Sequence, residues 1–414
     1  MSLHSEIRFH FIFFGEIAAS FTTMTSSFFS GTKKLGILGG GQLGKMLLQC
    51  TNTWDIYTMV LDPSPDSPCR NLCNAFVLGS LNDFDTVYTF GKQCDVLTIE
   101  IENVNVEALH RLKAEGVAIH PDPEALALIQ DKGLQKAFYR QHQIPTADFL
   151  LFADKAAILA ATTIQPGETK ALVEFPFVQK SRKAGYDGKG VQVIKSAADL
   201  TLLMDVPSVV ERMVPIQTEI AIIVSRNPSG QVCSYPAVQM DFHDGANLLD
   251  ELVFPATLAD EITHQARQLA ERLIVEFNLC GLLAVEFFVD QEGAVIVNEV
   301  APRPHNSGHQ TIESAFTSQY EQHIRAILDL PLGSTTVKIP SVMVNLLGEP
   351  GFSGPVIYEG LSDCLATAGV KVHIYGKKET RPMRKMGHVT IMHQQIAEAK
   401  KIAQWVKQTL KVKA

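Results

Sequence analysis

The chain has 414 residues, of which 46% are hydrophobic and 19% charged, and its formal net charge is -8. This length predicts two or three packed domains, and the composition argues against disorder over most of the chain. The acidic balance disfavours a nucleic-acid partner, which is usually bound by a basic face, and the seven scattered cysteines favour a reducing compartment without disulfides.

Residues 1–33 carry no clear structural pattern. Their apolar run, Phe9–Phe14, is far shorter than the roughly 20 residues of a membrane-spanning helix. The residues before it, which include His4 and Glu6, do not form the basic start of a signal peptide. We expect a poorly ordered extension, in which residues 1–23 are a leader or an over-extended start before Met24, and a cytoplasmic protein that does not contact a membrane.

Residues 34–130 are predicted to form an N-terminal Rossmann-like substrate domain with an open, mostly parallel sheet. Apolar runs of strand length alternate here with polar helical stretches. The predicted elements are the helix Leu43–Cys50 and the strands Leu35–Leu38, Ile56–Leu61, Ala75–Leu78, Val96–Ile101 and Val117–Ile119.

The first turn of this domain is rich in glycine. Gly39-Gly40-Gly41-Gln42-Leu43-Gly44 matches G-x-G-x-x-G between a strand and a helix, and Asp62 ends the next strand. Such a turn lets backbone N–H groups approach a phosphate at a helix N-terminus. The pattern is typical of dinucleotide sites, yet the same geometry serves other phosphorylated ligands, so the rest of the chain has to decide.

Residues 131–330 are predicted to form a central antiparallel domain. Short apolar runs are separated by loops, and a long amphipathic helix and a β-hairpin follow them. The predicted elements are the helices Asp131–Gln143 and Asp260–Phe277, the strands Phe177–Lys180, Gly190–Ile194, Ser208–Glu211, Glu219–Val224 and Tyr235–Val238, and the hairpin Leu282–Val289 with Ala294–Val300.

Residues 331–414 are predicted to form a small mixed C-terminal domain. Short strands are expected at Ser341–Leu346 and His388–Met392, and a terminal helix is expected at Gln394–Leu410.

The predicted hairpin carries two glutamates, Glu286 and Glu299, which its tight turn places on one face, opposite or diagonal to each other. Adjacent ionised carboxylates repel unless a cation lies between them. Their neighbours are apolar, so a solvated surface explains them poorly. Because hard cations prefer oxygen ligands, the pair predicts a site for Mg2+, with Mn2+ as the substitute ion.

Two loops and a basic cluster accompany this pair in the sequence. Lys180–Gly190 is a basic, glycine-rich loop between two strands, which fits a lid over phosphates. The loop after Glu299 contains Arg303, which can clamp an anion, and two histidines, His305 and His309, either of which could orient a reactant, with His305 favoured. Near the C-terminus, a phosphate pocket or a charged surface is predicted by Lys377, Arg381, Arg384, Lys385 and His388.

Together these motifs resemble the ATP-grasp superfamily, and within it the 5-(carboxyamino)imidazole ribonucleotide synthase family of purine biosynthesis. The likeness covers nearly everything after Lys33. It rests on Gly41-Gln42-Leu43-Gly44 with Met46, Gly185-Tyr186-Asp187-Gly188-Lys189-Gly190, Asn298-Glu299 with Ala301-Pro302-Arg303, His305-Asn306-Ser307-Gly308-His309, and Arg381–His388. The resemblance implies an ATP-grasp architecture that combines α/β and α+β parts, and an ATP-dependent C–N-forming ligase that is a homodimer.

The resemblance also implies roles for individual residues. The residues expected to contact ATP are Lys132, Lys180, Gly185, Tyr186, Asp187, Gly188, Lys189, Gly190, Val191, Glu211, Arg212, Met213, Val214, Glu219, His243, Asn298 and Glu299. Those expected to contact the ribonucleotide are Gly41, Gln42, Leu43, Glu100, Asn306, Lys377, Arg384 and Lys385. Asn298 is expected to join Glu286 and Glu299 at the metal, and bicarbonate and the intermediate are expected to contact Tyr186, Arg303, His305 and Lys385.

The implied reaction joins bicarbonate to the exocyclic amine of 5-aminoimidazole ribonucleotide while ATP is cleaved to ADP and phosphate. Carboxyphosphate is the implied intermediate, and a separate mutase takes the product in de novo purine (IMP) biosynthesis. Three alternatives stay open. They are a formate-dependent glycinamide ribonucleotide transformylase, a nicotinamide-dependent oxidoreductase and a catalytically silent nucleotide-binding paralogue.

Overall fold

The computed structural model describes residues 28–29, 31–164, 168–183, 190–242 and 249–414. In these ranges the chain forms one parallel sheet, one small antiparallel sheet and one large antiparallel sheet, with helices packed on their faces. No helix in this described part of the chain is long and apolar enough to cross a bilayer.

The first five strands form the parallel sheet, as the sequence predicts. They are β1 (Lys34–Leu38), β2 (Tyr57–Asp62), β3 (Ala75–Leu78), β4 (Val96–Ile99) and β5 (Ala118–His120), and the helices between and after them are α1 (Gln42–Thr53), α2 (Phe84–Gly91), α3 (Val106–Ala114) and α4 (Pro123–Ile129). The strand order is β3-β2-β1-β4-β5. The carboxyl ends of β1 and β4 therefore lie side by side, where ligands of such sheets usually bind.

A small antiparallel sheet follows. Its members are β6 (Phe149–Phe152), β7 (Phe177–Ser181), β8 (Val191–Ile194) and β9 (Ser208–Arg212), accompanied by α5 (Lys132–Gln141), α6 (Lys155–Ala161) and a 3-10 helix (Ala197–Leu202). The strand order is β6-β9-β7-β8. The neighbouring strands β7 and β9 thus bring Lys180 and Glu211 into the same sheet.

The large antiparallel sheet begins with β10 (Ile216–Arg226), β11 (Val232–Ser234), β12 (Val238–Phe242), β13 (Leu249–Phe254), β14 (Gly281–Asp290) and β15 (Val295–Ala301). The helices of this part are α7 (Asp260–Glu276), α8 (Thr311–Ser314) and α9 (Gln319–Ile327), together with a 3-10 turn at Asn306–Gly308.

The C-terminal residues complete that sheet. Their elements are β16 (Ser341–Leu347), β17 (Gly354–Pro355), β18 (Ile357–Glu359), α10 (Leu361–Ala366), β19 (Val370–Ile374), β20 (Glu379–Thr380), β21 (Lys385–Met392), α11 (Ile396–Thr409) and β22 (Lys411–Lys413). The order is β15-β14-β10-β12-β13-β16-β21-β19, with β11 beside β10, while β17 pairs with β20 and β18 with β22. One continuous ladder therefore connects the β14–β15 hairpin to the C-terminal strands.

One predicted strand is wrong. Tyr235–Val238 was expected to be continuous, but Tyr235–Ala237 separate β11 from β12. Pro236 has no N–H group to donate within a sheet, so the strand is interrupted there. The apolar signal was real, because Tyr235 is buried and its hydroxyl donates a hydrogen bond to Thr317 O at 2.9 Å.

Helix α9 follows the β14–β15 hairpin in sequence but packs on the N-terminal parallel sheet. Its apolar face lies in one cluster with β1 and α1, and Phe28, at the end of the predicted 1–33 extension, is buried in the same cluster. The shared cluster includes Leu35, Ile37, Met46, Leu47, Tyr320, Ile324 and Ile327. Burial of this face removes apolar surface of both regions from water, which holds the two sheets together.

His323 adds a polar contact to this interface. Its Nε2 lies 2.9 Å from Thr98 Oγ1 on β4, and its ring is fully buried. Burial lowers the pKa of His323 to about 3, and the nearby His120 adds to that effect. The ring is therefore neutral in the folded protein near pH 7.

We expect the stability of the protein to fall as the pH drops below about 6.5. The unfolded chain then takes up a proton on His323 that the folded protein does not bind until about pH 3, so each pH unit in this window costs about 1.4 kcal/mol for this residue. The free energy of unfolding from urea titrations at pH 6.5 and 5.5 measures the loss. In His323→Gln, the loss of unfolding free energy between pH 6.5 and pH 5.5 should be smaller than in the wild type by about 1 kcal/mol.

The exposed His110 on α3 supplies the control for this experiment. His110→Gln should leave the pH dependence of unfolding unchanged. An equal loss of stability in the wild type and in His323→Gln would contradict the prediction.

Candidate active site

Glu286 and Glu299 face each other across the β14–β15 hairpin. They are directly paired in register, and a bulge follows between Glu286 and Phe287. The side chains are recessed, although 42% of the Glu299 side chain is still reached by solvent, against 17% of Glu286. The hairpin thus holds two carboxylates on one face, as its sequence predicts.

The two carboxylates have opposite electrostatic surroundings. The charge of Lys132, whose Nζ forms an ion pair with Glu299 Oε2, holds the pKa of Glu299 well below its usual range. Desolvation, followed by the charges of Glu299 and Glu219, raises the pKa of Glu286 well above its usual range. Among the described residues, Glu299 is therefore paired with a lysine, whereas Glu286 has no ion pair with a lysine or arginine.

This imbalance fits a hard cation. Among the described residues, no group of three or more His, Cys, Asp or Glu side chains is arranged as a metal site. Mg2+ at a nucleotide site, however, needs only one or two carboxylates, because phosphate oxygens and water complete its shell. Glu286 and Glu299 fit that requirement, and Asn298 on the same strand adds an amide oxygen.

Three lysines lie beside this hairpin. Lys180 Nζ lies 2.9 Å from Glu211 Oε2 and 2.8 Å from Asn298 Oδ1. Lys136 Nζ lies 3.0 Å from Glu211 Oε1, and Lys132 pairs with Glu299. The structure thus brings Lys132, Lys180, Asn298 and Glu299 together, and it adds Lys136, which the sequence analysis missed.

The start of α5 is clamped to the end of β7. Arg182 Nε and Nη2 donate to Asp131 Oδ1 and Oδ2, each at 2.8 Å, and Asp131 Oδ1 also accepts from the N–H of Gly133 at 2.8 Å. The backbone N–H of Lys132 donates to Arg182 O at 2.9 Å. A bidentate, charge-assisted pair of this kind fixes orientation, so it sets Lys132 on α5 relative to Lys180 on β7. The sequence analysis missed both Asp131 and Arg182.

The predicted phosphate lid is described only at its ends. Gly185, Tyr186, Asp187, Gly188 and Lys189 lie outside the described residues, as does His243. Gly190 has a φ of 78°, which favours glycine, and its carbonyl accepts from the N–H of Ser181 at 2.8 Å. Val191 pairs with Lys180, so the loop starts and ends on adjacent strands.

The segment 211–214, whose residues are predicted to contact ATP, begins at the end of β9. The Glu211 carboxylate is buried among lysines, whereas Arg212 and Met213 are exposed. A base approaching this segment would therefore meet its backbone rather than the Glu211 side chain. Glu219 on β10 is half-buried, and desolvation raises its pKa to about 7 against the opposing charge of Lys180.

Arg303 connects the hairpin to the N-terminal sheet. Its Nη2 lies 2.7 Å from Glu102 Oε1, just beyond the carboxyl end of β4, and its Nη1 donates to Pro304 O at 3.0 Å. Burial raises the pKa of Glu100, and the N–H of Gly44 and the charge of Arg303 oppose that shift. The guanidinium thus lies at the junction of the two sheets, and its partner Glu102 is a second residue that the sequence analysis missed.

His305 faces the carboxylate pair. Its Nε2 lies 3.7 Å from Glu286 Oε1, and its Nδ1 lies 2.9 Å from Ser307 Oγ. Gln319 holds the backbone of His305 on both sides, accepting from its N–H and donating to its carbonyl. The neighbouring Asn306 has a buried Oδ1 that lacks a hydrogen-bond partner among the described residues, as expected of an atom that a ligand satisfies.

His309 serves packing instead. It is 1% exposed, its Nδ1 lies 2.7 Å from Tyr320 OH, and its ring stacks on His388 with centroids 4.6 Å apart. The stack joins the loop after Glu299 to β21, which begins at Lys385.

The glycine turn encloses Glu100. The N–H of Gly44 donates to Glu100 Oε2 at 3.1 Å, and a Cβ at Gly39 or Gly41 would lie within 2.9 Å of the same side chain. The glycines are therefore required for this carboxylate to approach the turn. Gln42 is half-buried, whereas the Leu43 side chain is packed in the core, which leaves its backbone for a ligand.

Asp62 does not fit the role that a nicotinamide site would give it. Its Oδ2 accepts from the N–H of Gly40 at 2.7 Å and its Oδ1 accepts from the N–H of Ser64 at 2.8 Å. In dinucleotide sites the corresponding carboxylate binds the ribose hydroxyls. Here it holds the glycine turn, which argues against the oxidoreductase alternative.

The C-terminal segment 374–385 contacts the N-terminal domain, and one of its lysines lies near Glu286. Lys45 Nζ on α1 donates to Ile374 O at 2.8 Å, and Lys378 forms an ion pair with Asp66, so the 374–385 segment is held against the N-terminal sheet. Lys377 Nζ donates to Lys385 O at 2.7 Å. The charge of Lys385 also acts on Glu286. Arg384 is turned to Glu379 O, to which its Nη1 donates at 2.7 Å.

The fold belongs to the ATP-grasp class. Models of the ribonucleotide synthetase preATP-grasp domain, the ATP-grasp domain and the phosphoribosylaminoimidazole carboxylase C-terminal domain match residues 32–130, 137–320 and 341–402. The three matches confirm the predicted fold class.

Similar solved structures identify the family within the ATP-grasp class. A crystal structure of N5-carboxyaminoimidazole ribonucleotide synthetase from Thermotoga maritima is similar with a TM-score of 0.83 and 40% identity, covering 92% of this chain and 99% of that one. The Aspergillus clavatus synthase, in complex with ADP and 5-aminoimidazole ribonucleotide, is similar with a TM-score of 0.81 and 32% identity over 91% and 98%. The chain therefore belongs to the N5-carboxyaminoimidazole ribonucleotide synthetase family.

Some relatives are longer. Phosphoribosylaminoimidazole carboxylase of Saccharomyces cerevisiae is 38% identical over 385 residues, which are 89% of this chain and 65% of the yeast protein. The chain thus spans about two thirds of the length of that relative. The chain is therefore assigned to the synthetase family rather than to the transformylases or the nicotinamide-dependent oxidoreductases.

We expect Glu286→Gln to abolish the stabilisation that Mg2+ adds to nucleotide binding. The substitution removes the carboxylate whose charge has no equal compensation, so the folded protein without nucleotide should be as stable as the wild type or more so. The thermal unfolding midpoint in ADP, with and without Mg2+, measures the effect.

The exposed Glu292, in the turn of the same hairpin, supplies the matched control. Glu292→Gln should keep the full Mg2+-dependent shift. Retention of that shift in Glu286→Gln would contradict the assignment of Glu286 as a metal ligand.

Proposed function

We propose that the protein catalyses the ATP-dependent carboxylation of 5-aminoimidazole ribonucleotide by bicarbonate. The products are N5-carboxyaminoimidazole ribonucleotide, ADP and phosphate. The observation that carries the proposal is the position of Arg303, which lies between the metal-binding hairpin and Glu102 and Glu100 of the N-terminal sheet. An anionic intermediate made at the nucleotide would meet the ribonucleotide amine at that junction.

The likeness to the Aspergillus synthase, whose complex holds ADP and 5-aminoimidazole ribonucleotide, supports both ligands. In this assignment ATP contacts Lys132, Lys180, Glu219 and the 185–191 loop. The ribonucleotide contacts the Gly41–Leu43 turn, Glu100 and Asn306 on one side, and Lys377, Arg384 and Lys385 on the other.

Bicarbonate is a poor electrophile, so ATP has to activate it before the amine can react with its carbon. An oxygen of bicarbonate attacks the γ-phosphorus of ATP, the bond to ADP breaks, and carboxyphosphate forms. Carboxyphosphate releases phosphate and carbon dioxide, the amine attacks that carbon, and the amine proton is lost. Because carbon dioxide would escape into open solvent, the two halves of the site have to be adjacent and closed.

Fixed positive charge supplies most of the catalysis in this proposal. Lys132 and Lys180 stabilise charge on the transferred phosphoryl group, and Glu286 and Glu299 would hold a metal ion that would supply further positive charge there. Arg303, His305, Lys385 and Tyr186 hold bicarbonate and carboxyphosphate.

The proposal extends to the setting of the reaction. The enzyme is cytoplasmic and a homodimer, uses Mg2+ with Mn2+ as a substitute, and passes its acid-labile carbamate product to a separate mutase. The large share of the sequence aligned with synthases of this family supports these points.

An assay of ADP release from the purified protein tests the reaction. ATP, Mg2+, bicarbonate and 5-aminoimidazole ribonucleotide are supplied together and then omitted one at a time. We expect release to require both bicarbonate and the ribonucleotide, because phosphoryl transfer is productive only in the closed complex. Release that ignores the ribonucleotide would refute the proposed substrate, and the absence of any release would favour the silent paralogue.

We expect Arg303→Ala to lower kcat about 100-fold or more while changing the dissociation constant of ADP less than about threefold, because the guanidinium contacts the intermediate rather than the nucleotide. Steady-state kinetics and calorimetry measure the two quantities. Arg111→Ala, at an exposed arginine that also pairs with a glutamate, is the control and should match the wild type. Unchanged turnover in Arg303→Ala would remove Arg303 from the mechanism.

A further inference from the structure

Lys136 occupies an unusual place for a lysine. It lies on α5 one helical turn after Lys132, and only 2% of it is exposed. Its Nζ lies 3.0 Å from Glu211 Oε1 and donates to Thr146 Oγ1 at 2.6 Å, while the Thr146 hydroxyl donates to Val297 O at 2.8 Å. Buried lysines are rare unless they are paired, and this one is enclosed on all sides by protein.

Glu211 is shared by two lysines. Lys136 lies on its Oε1, and Lys180 lies 2.9 Å from its Oε2. Burial alone would raise the pKa of Glu211, but the charges of Lys180 and Lys136 outweigh it and keep the carboxylate ionised. One negative charge therefore holds two positive charges.

The two lysines differ in what they can reach. Lys180 Nζ also touches Asn298 Oδ1, next to Glu299, and 11% of its side chain is exposed. Lys136 has 3% of its side chain exposed and faces Thr146 and Glu211. A nucleotide phosphate can approach Lys180 but not Lys136.

We propose that Lys136 is a positioning residue that neutralises Glu211 and thereby frees Lys180 to bind the phosphates of the nucleotide. The inference rests on the proposed function in one respect, namely that ATP binds beside Lys180. When Lys180 turns to a phosphate, Glu211 keeps a cation and is not left as an unpaired buried charge, which is strongly unfavourable. Without Lys136, the same movement would leave Glu211 with no ion-pair partner among the described residues.

A pair of variants separates this role from simple support of the fold. Lys136→Met should weaken binding of ATP with Mg2+ about tenfold or more, measured by calorimetry, because Glu211 then retains Lys180. The double variant Lys136→Met/Glu211→Gln should bind ATP within about threefold of the wild type, because removal of the carboxylate releases Lys180. A lysine that only supported the fold would also lower the thermal unfolding midpoint of Lys136→Met, and Glu211→Gln would restore that midpoint together with the affinity.

Lys407 supplies the matched control. Its Nζ lies 3.1 Å from Oε2 of Glu251, a buried carboxylate on β13 of the large sheet. Lys400 Nζ lies 3.9 Å from the other oxygen of the same carboxylate. Lys407→Met should leave ATP affinity unchanged. The thermal unfolding midpoint of every variant should accompany the binding data, and Lys136→Arg, which keeps the charge, should bind more tightly than Lys136→Met.

The outcomes distinguish this inference from the proposed function. Wild-type ATP affinity in Lys136→Met, or a double variant as weak as the single one, overturns the role of Lys136 and leaves the carboxylation proposal intact. If Lys136→Met does not fold, the double variant decides, since it should bind ATP within about threefold of the wild type and a tenfold loss overturns the role. Rescue in a protein without carboxylation activity would support Lys136 and refute the substrate instead.

Discussion

The site depends on how charge is balanced around a few recessed carboxylates. Glu299 is matched by Lys132, Glu211 by two lysines, and Glu286 by no equal partner. Negative groups held close together are tolerated only when cations compensate them. Each lysine is therefore held in a fixed position by a carboxylate even without nucleotide. In the proposed function, phosphates and a metal ion would replace interactions that already exist, so little reorganisation would be needed.

The same logic links the separate sheets. Arg303 extends from the hairpin to Glu102, and Lys45 reaches the carbonyl of Ile374 in the C-terminal part. The parallel sheet contributes a glycine turn whose missing side chains leave room for Glu100. Each sheet carries only some of these charged groups, and the candidate active site is formed where the sheets meet.

How much of this could be predicted depended on distance along the chain. The pairing of Glu286 with Glu299 follows from one short turn, so local pattern was enough, as it was for the parallel sheet. Lys136 and Glu102 were missed because their partners, Glu211 and Arg303, belong to distant segments that only the tertiary fold brings close. Pro236 shows the local limit, since an apolar run gave no sign of where its hydrogen bonding would stop.

The ladder from β15 to β19 has a mechanical consequence. Because Glu286 and Lys385 belong to one hydrogen-bonded sheet, they cannot move apart without breaking it. Among the described residues, the β6-β9-β7-β8 sheet shares no ladder with it, and one isolated bridge, Thr146 with Val297, joins the chain just before β6 to β15. A displacement of the small sheet as a unit would carry Lys180 and Glu211 together, whereas Glu286 and Lys385 would keep their mutual positions.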